Sequence, residues 1–399
     1  MKARPKILIS GSYGTGNTGD EVILACILDY LKYYDVTVLS QEVEYTKKCF
    51  PQVKVIHQTP SWEIRRILKD LIFFNITQIK RRILFLNELR KADIFWLGGG
   101  GLLSEMIPRI LRYYLHQLFF AKFFNCKVLL FAVGVGPLTT LKGKHFLKKI
   151  MDNVPLFISV RDQNSKALLL DAGVKREIKV VPDPAFLFKA GIEPVCKDQV
   201  IFNFYSMFNN ESVWPGQQHR YENLKNAIIE LTRYLTDDLN YKVIFLPFGT
   251  KWDAVFSNEM RAEFIDKFPN LADRVKVFEA DNYKDIINTL VSAKWSISTR
   301  FHAGLIAMAN GHPSICIDSQ YKSERLLIEM NLPKLLVQLP DGHHKSGNKD
   351  LDLLEIKEKI RWLEENYDST QKQIEMFINK SQSELSTFYK ELDEILKSI

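Results

Sequence analysis

The feature that most constrains this chain is a repeated alternation: a short β-branched run, a glycine-bearing turn, then a longer stretch with apolar residues at helical spacing. A strand cannot be joined to a parallel neighbour by a tight turn; the crossover needs a dozen or more residues and is usually a helix. The alternation therefore predicts a parallel sheet covered by helices. Expected strands run from Lys6 to Ser10, Val36 to Leu39, Ile94 to Leu97, Val128 to Ala132, Leu156 to Val160 and Lys179 to Val181. The pattern then restarts. After an irregular polar stretch from Lys189 to Asp198, with Gly191, Pro194 and Lys197, come Val200 to Phe204, Lys242 to Pro247, Val275 to Phe278, Trp295 to Ser298 and Ser314 to Ile317.

A chain of 399 residues exceeds the ~250–300 residues that one core usually supports. The fold class expected is α/β: two Rossmann-like domains facing a cleft, over residues 1–190 and 198–345, with the stretch from Lys189 to Asp198 as linker. Residues 351–399 form a C-terminal helical segment, because Ile374, Phe377, Ile378, Leu385, Phe388, Leu392 and Leu396 recur at helical spacing.

Composition removes several classes. Hydrophobic residues at 46% and charged residues at 25% describe a globular chain, not a disordered one. The longest apolar runs are far shorter than the ~20 residues of a membrane span, and no export signal precedes the first strand. The five cysteines lack CxxC pairing, so neither a disulfide framework nor a zinc site is expected. These features favour the cytoplasm. The net charge of +7 comes without a nucleic-acid-binding motif, so no nucleic acid partner is expected. From Trp62 to Leu89, Arg65, Arg66, Lys80, Arg81 and Arg82 lie among Ile, Leu and Phe. Two readings are open for that stretch: a solvated face on a core-packed helix, or a peripheral contact with anionic lipid at the inner face of a membrane. The loop Asp341-Gly342-His343-His344-Lys345-Ser346-Gly347 is expected to be a surface turn and not a metal site, since no Cys completes a ligand set.

Three glycine-rich turns follow first-half strands: Gly11-Ser12-Tyr13-Gly14-Thr15-Gly16-Asn17-Thr18-Gly19-Asp20-Glu21, Gly98-Gly99-Gly100-Gly101 and Gly134-Val135-Gly136-Pro137. Glycines let a backbone approach a ligand closely, and free N–H groups at a helix start favour an anion. The first turn is not a Walker loop, having no Lys after its last glycine, and Asp20 or Thr18 capping a tight turn is the alternative. Arg161 ends a strand, where it either grips a carboxylate or phosphate or bridges to Asp162 or Asp183. Arg300-Phe301-His302 sets a guanidinium and an imidazole two residues apart at another strand-to-helix turn.

Taken in order, Gly16-Asn17-Thr18-Gly19-Asp20-Glu21, Gly98 to Leu103, Gly134 to Pro137, Ser159-Val160-Arg161-Asp162, Pro182-Asp183-Pro184-Ala185 and Arg300-Phe301-His302-Ala303 resemble the polysaccharide pyruvyltransferase family. The resemblance covers roughly Lys6 to Ile328. It implies a GT-B-like fold and transfer of the pyruvyl group of phosphoenolpyruvate to a sugar hydroxyl pair of a glycan or lipid-linked precursor; no metal and no cofactor beyond that donor are expected, since arginines can carry the charge a metal would balance. Arg161 and Arg300 would then grip the donor's carboxylate and phosphate and His302 would be an acid or base. Asp20 or Asp183 would serve as base, and Gly16, Asn17, Gly99, Gly100, Gly134 and Phe301 would line the substrate. Where the family often carries a Tyr-x-x-Lys stretch, this chain reads Tyr321-Lys322-Ser323-Glu324-Arg325, leaving Lys322 and Arg325 as stand-ins. Rival expectations are a GT-B glycosyltransferase using a nucleotide-sugar, and a non-catalytic assembly component.

Overall fold

In the computed structural model the described residues are 4–106, 108–192, 196–211, 214–249, 251–280, 282–319, 321–340, 347 and 349–399. The chain divides into two compact units. One comprises Met1–Thr15, Asp20–Pro184 and Gln382–Ile399; the other comprises Gly16–Gly19 and Ala185–Ser381.

The first unit holds strands β1 (Lys6–Ser10), β2 (Asp35–Ser40), β3 (Lys54–His57), β4 (Ile94–Gly98), β5 (Lys127–Val133), β6 (Phe157–Val160) and β7 (Lys179–Val180), in spatial order β3-β2-β1-β4-β5-β6-β7. Every neighbouring pair is parallel. Ile7, Leu8 and Ile9 are all buried although they point to alternate faces, as a sheet covered on both sides requires. Helix Pro108–Phe123 turns Leu111, Leu115 and Leu118 onto this sheet, where they share a core with Leu97, Leu130 and Val133.

The second unit repeats the plan with β8 (Cys196–Asn203), β9 (Lys242–Phe245), β10 (Val275–Val277), β11 (Ala293–Ser298), β12 (Ser314–Asp318) and β13 (Leu336–Gln338), in the order β10-β9-β8-β11-β12-β13. Its strands too are parallel throughout. In each sheet the order reverses once, between β1 and β4 and between β8 and β11, and such switch points are where open α/β sheets take ligands. Both sheets gain an edge strand that periodicity did not mark, β3 and β13, each too short to show alternation. Strand β8 starts at Cys196, inside the stretch expected to be linker. Residues 193–195 of that stretch, and 341–346 of the His-pair loop, lie outside the described residues.

Two C-terminal helices follow, Leu353–Glu365 and Tyr367–Ser398. The first is fastened to the second sheet by Glu364, whose Oε1 accepts the Trp295 indole N–H and the Tyr241 hydroxyl, both at 2.6 Å, while Oε2 takes the Lys294 ammonium. Burial opposes ionisation of Glu364, but these donors outweigh it and hold the carboxyl below its ordinary range. The end of the last helix packs on the first sheet. There Phe388 stacks on Phe131, Tyr389 stacks on Tyr30 at 4.2 Å, and Asp393 accepts the Tyr30 hydroxyl at 2.6 Å.

Helix Ile76–Lys91 buries Arg82, Phe85, Glu88 and Leu89, so it is core-packed. Helix Ile64–Ile72 buries none of its residues, so the reading of a solvated face on a core-packed helix does not describe it.

The Glu364 cluster and the exposed Lys179–Glu391 pair should differ in worth. Glu364→Ala strands three donors and is expected to cost ~1–3 kcal/mol, whereas Glu391→Ala removes an exposed pair and should cost less than ~1 kcal/mol. Thermal midpoints of the two variants test this ordering; equal shifts would contradict it.

Candidate active site

Beside the β1/β4 switch point the glycine-rich turns that follow β4 and β5 are knitted together. The Gly99 N–H donates to the Phe131 carbonyl at 3.0 Å and the Gly134 N–H to the Gly100 carbonyl at 2.8 Å. Gly136 donates to the Leu103 carbonyl at 2.9 Å. Gly99 and Gly100 have φ of +72° and +75°, and a Cβ on Gly100 would stand 2.7 Å from Asp20 Oδ1. A side chain there would meet both strain and a carboxylate. Asp20 thus sits in the first turn of helix Thr18–Tyr30 with its carboxylate against the β4 turn.

The first turn is less open to an anion than its glycines imply. Gly14 gives its N–H to Glu21 Oε1 at 2.6 Å, Thr18 to the Phe248 carbonyl at 3.1 Å, and Gly19 to Asn17 Oδ1 at 3.2 Å. Three amides of this turn are therefore already taken, and the Asn17 side chain is one of the groups that cap it. The Tyr13 hydroxyl further anchors the loop by donating to the Gly98 carbonyl at 2.5 Å.

Arg161 follows β6 and its side chain is buried. It pairs with Asp183 at 3.4 Å and Asp162 at 3.5 Å, so the structural bridge is made. Its guanidinium lies against Gly134, where a Cβ would come within 3.0 Å of Nε.

In the second unit the β8/β11 switch point is organised by buried Asn203. Its backbone carbonyl accepts the Thr299 N–H at 2.8 Å, its side-chain Oδ1 accepts the Arg300 N–H at 3.2 Å, and its Nδ2 donates to the Leu246 carbonyl at 2.9 Å. The backbone that carries Arg300 is thereby held across three neighbouring strand ends. Arg300 itself makes a two-pronged pair with buried Asp253, Nε to Oδ2 at 3.1 Å and Nη2 to Oδ1 at 2.5 Å, and its guanidinium lies over the Tyr205 ring at 4.4 Å. Nη1 donates to nothing among the described residues, and 33% of the side chain is exposed. Phe301 and His302 open helix Phe301–Ala309. Gly19 leaves room for the imidazole: a Cβ there would lie 2.4 Å from His302 Cβ. Lys322 starts helix Lys322–Glu329 beyond the neighbouring strand β12.

Of the expected residues, Asp20, Gly99, Gly100, Gly134 and Arg161 gather in the first unit, and Gly16, Asn17, Arg300, Phe301, His302 and Lys322 belong to the second. Sequence reading missed Asn203, Asp253 and Tyr205. No motif marks them, since each acquires its role through contact with a residue about 50 to 100 positions away.

The sequence model of polysaccharide pyruvyl transferases matches residues 17–321, a span that includes both switch points. The chain belongs to the polysaccharide pyruvyl transferase family. No curated protein matches it in sequence. Solved structures similar to this pyruvyl transferase chain include a glycosyltransferase from Rickettsia africae ESF-5, at TM-score 0.60 and 14% identity, with 100% of this chain and 99% of that one covered. Another is a UDP-GlcNAc 2-epimerase from Methanocaldococcus jannaschii, at TM-score 0.55 and 11% identity, with 89% and 91% covered. A third is a sucrose-phosphate synthase from Thermosynechococcus elongatus, at TM-score 0.56 and 11% identity, with 99% of each covered. At these identities the likeness establishes the GT-B-type fold alone.

One further carboxyl of the pyruvyl transferase chain stands out beside Asp20. Glu21 is fully buried, and its Oε2 has no hydrogen-bond partner among the described residues. Burial pushes its pKa from an ordinary 4.5 up to about 8, against the pull of the Gly14 hydrogen bond and aided by the Asp20 charge. Between those two values the unfolded chain releases this proton while the folded chain keeps it. Stability should therefore fall as pH rises through that window, by up to about 1.4 kcal/mol per pH unit from this group. Glu21→Gln is expected to flatten the slope. Urea midpoints at several pH values in the window test this, and a slope identical to the parent's would refute it.

Proposed function

We propose that this pyruvyl transferase works in the cytoplasm with phosphoenolpyruvate as donor, building a pyruvate ketal across two hydroxyls of a glycan or lipid-linked glycan precursor and releasing phosphate. What supports this most is Arg300, two residues ahead of His302, held by buried Asp253 along one edge with Nη1 making no hydrogen bond among the described residues. A guanidinium whose orientation is already fixed loses little freedom on gripping an anion.

In this reading Arg161 and Arg300 hold the donor's carboxylate and phosphate, and no metal is assigned because the arginines carry that charge. Gly16, Asn17, Gly99, Gly100, Gly134, Phe301 and Lys322 complete the substrate contacts. His302 gives a proton to the C3 methylene, which becomes a methyl group, while C2 turns electrophilic. A first sugar hydroxyl adds its oxygen to C2 and yields its proton to Asp20. The C2–O bond to phosphate breaks with the electron pair leaving on phosphate, and the second hydroxyl closes the ketal as it loses its proton. Of the two hydroxyl protons released, one restores His302 and the other leaves on phosphate.

The test is incubation with phosphoenolpyruvate and candidate glycans, following inorganic phosphate and the ketal by mass spectrometry. His302→Ala is expected to lower kcat by ~10²–10⁴, and Arg300→Ala or Asp253→Ala to raise KM for phosphoenolpyruvate. Wild-type turnover in His302→Ala would remove the acid assignment. Unchanged donor affinity in both Arg161→Ala and Arg300→Ala would misplace the donor site. Thermal stabilisation by UDP or GDP but not by phosphoenolpyruvate would transfer the case to nucleotide-sugar chemistry.

A further inference from the structure

Helix Ile64–Ile72 lies on the first unit with no buried residue. Its Ile64, Leu68, Leu71 and Ile72 recur at helical spacing along one exposed face, and the chain continues into exposed Phe73, Phe74 and Ile76. Ile64 is 74% exposed, Ile72 68%, Phe73 72% and Phe74 81%. Scattered apolar residues at a surface are ordinary, but seven within 13 consecutive positions form a contiguous patch of the kind that marks an interaction surface.

The charges around the patch indicate what covers it. Its acidic neighbours are already taken up: Asp70 pairs with Arg82 at 2.8 Å, and Glu63 pairs with Arg66 and Arg112, each at 3.7 Å. Arg65, Lys69 and Lys80 are exposed and make no ion pair among the described residues. An apolar stripe flanked by unneutralised cations complements the interface of an anionic bilayer, whose acyl boundary takes the stripe and whose headgroups take the cations. A second copy of the chain is a poorer match, because a two-fold contact through this face would set its unpaired cations against their own copies.

We propose that helix Ile64–Ile72 and the turn Phe73–Asn75 dock the first unit onto the surface of an anionic lipid bilayer. The helix starts shortly after β3 ends, and Gln58, just past that strand, donates to the Gly11 carbonyl in the first glycine-rich turn. The docking does not depend on which donor the enzyme uses, and vesicle binding is read with no substrate present.

The test is co-sedimentation of the full chain with phosphatidylglycerol/phosphatidylcholine vesicles and with pure phosphatidylcholine vesicles. The expected result is binding to the anionic vesicles, weakened by salt and by at least about tenfold in Arg65→Glu/Lys69→Glu. Phe73→Ser/Phe74→Ser should lose binding as well while keeping the parent's thermal midpoint, since both rings are exposed. No sedimentation with anionic vesicles at low salt would overturn the proposal. So would undiminished binding by Phe73→Ser/Phe74→Ser. A dimer in the analytical ultracentrifuge that this variant turns into a monomer, without vesicle binding by either, would give the patch to self-association instead.

Discussion

Parallel strands can be joined only by long crossovers, and those crossovers take one hand. A sheet built outward in both directions from its first strand must therefore reverse its order once. At the reversal two neighbouring strands send their loops to opposite faces, and a crevice opens between them at the carboxyl edge. Here the reversals fall between β1 and β4 and between β8 and β11. Asp20, Glu21, Gly100, Asn203 and Arg300 all stand at one or the other. The chemistry available to the molecule follows from this topological necessity.

The two crevices are furnished differently. In the first unit the backbone carries the order: glycine amides and carbonyls of the β4 and β5 turns pair with one another, and Asp20 and Arg161 press against positions where a Cβ would intrude. In the second unit side chains carry it, with Asn203 fixing the turn and Asp253 fixing Arg300. Three of the buried ionisable groups have a direct physical account. Buried Arg161 is paired with Asp183, and buried Asp253 with Arg300, since a lone buried ion would cost several kcal/mol. Glu21, with a single amide donor and Asp20 beside it, meets the same cost by keeping its proton.

Legibility varied with length and range. Runs such as Val128 to Ala132 could be read directly, because a strand buried on both faces leaves an unbroken apolar signature. The edge strands Lys54–His57 and Leu336–Gln338 left none, being held by pairing with one neighbour more than by their own pattern. From Trp62 to Leu89 the same amphipathic period describes two helices of opposite fate. Phe85 and Leu89 are buried while Leu68, Leu71 and Ile72 face outward, and periodicity alone does not say whether a stripe finds a core. For the glycine turns, composition indicated close approach correctly. It did not indicate that Glu21, Phe248 and Asn17 consume three of the amides.

What the sequence determined by itself was local or repetitive: the alternation that demands two parallel sheets, the family motifs in order, and the positions of Arg161, Arg300 and His302 at strand ends. Tertiary structure alone decided the partners. That Asp253 clamps Arg300, that Asn203 ties three strand ends together and that one amphipathic helix stays uncovered are matters of which distant residues meet. Spacing encodes the direction in which a side chain leaves the backbone, whereas its charge state and freedom are set by whatever the fold brings against it.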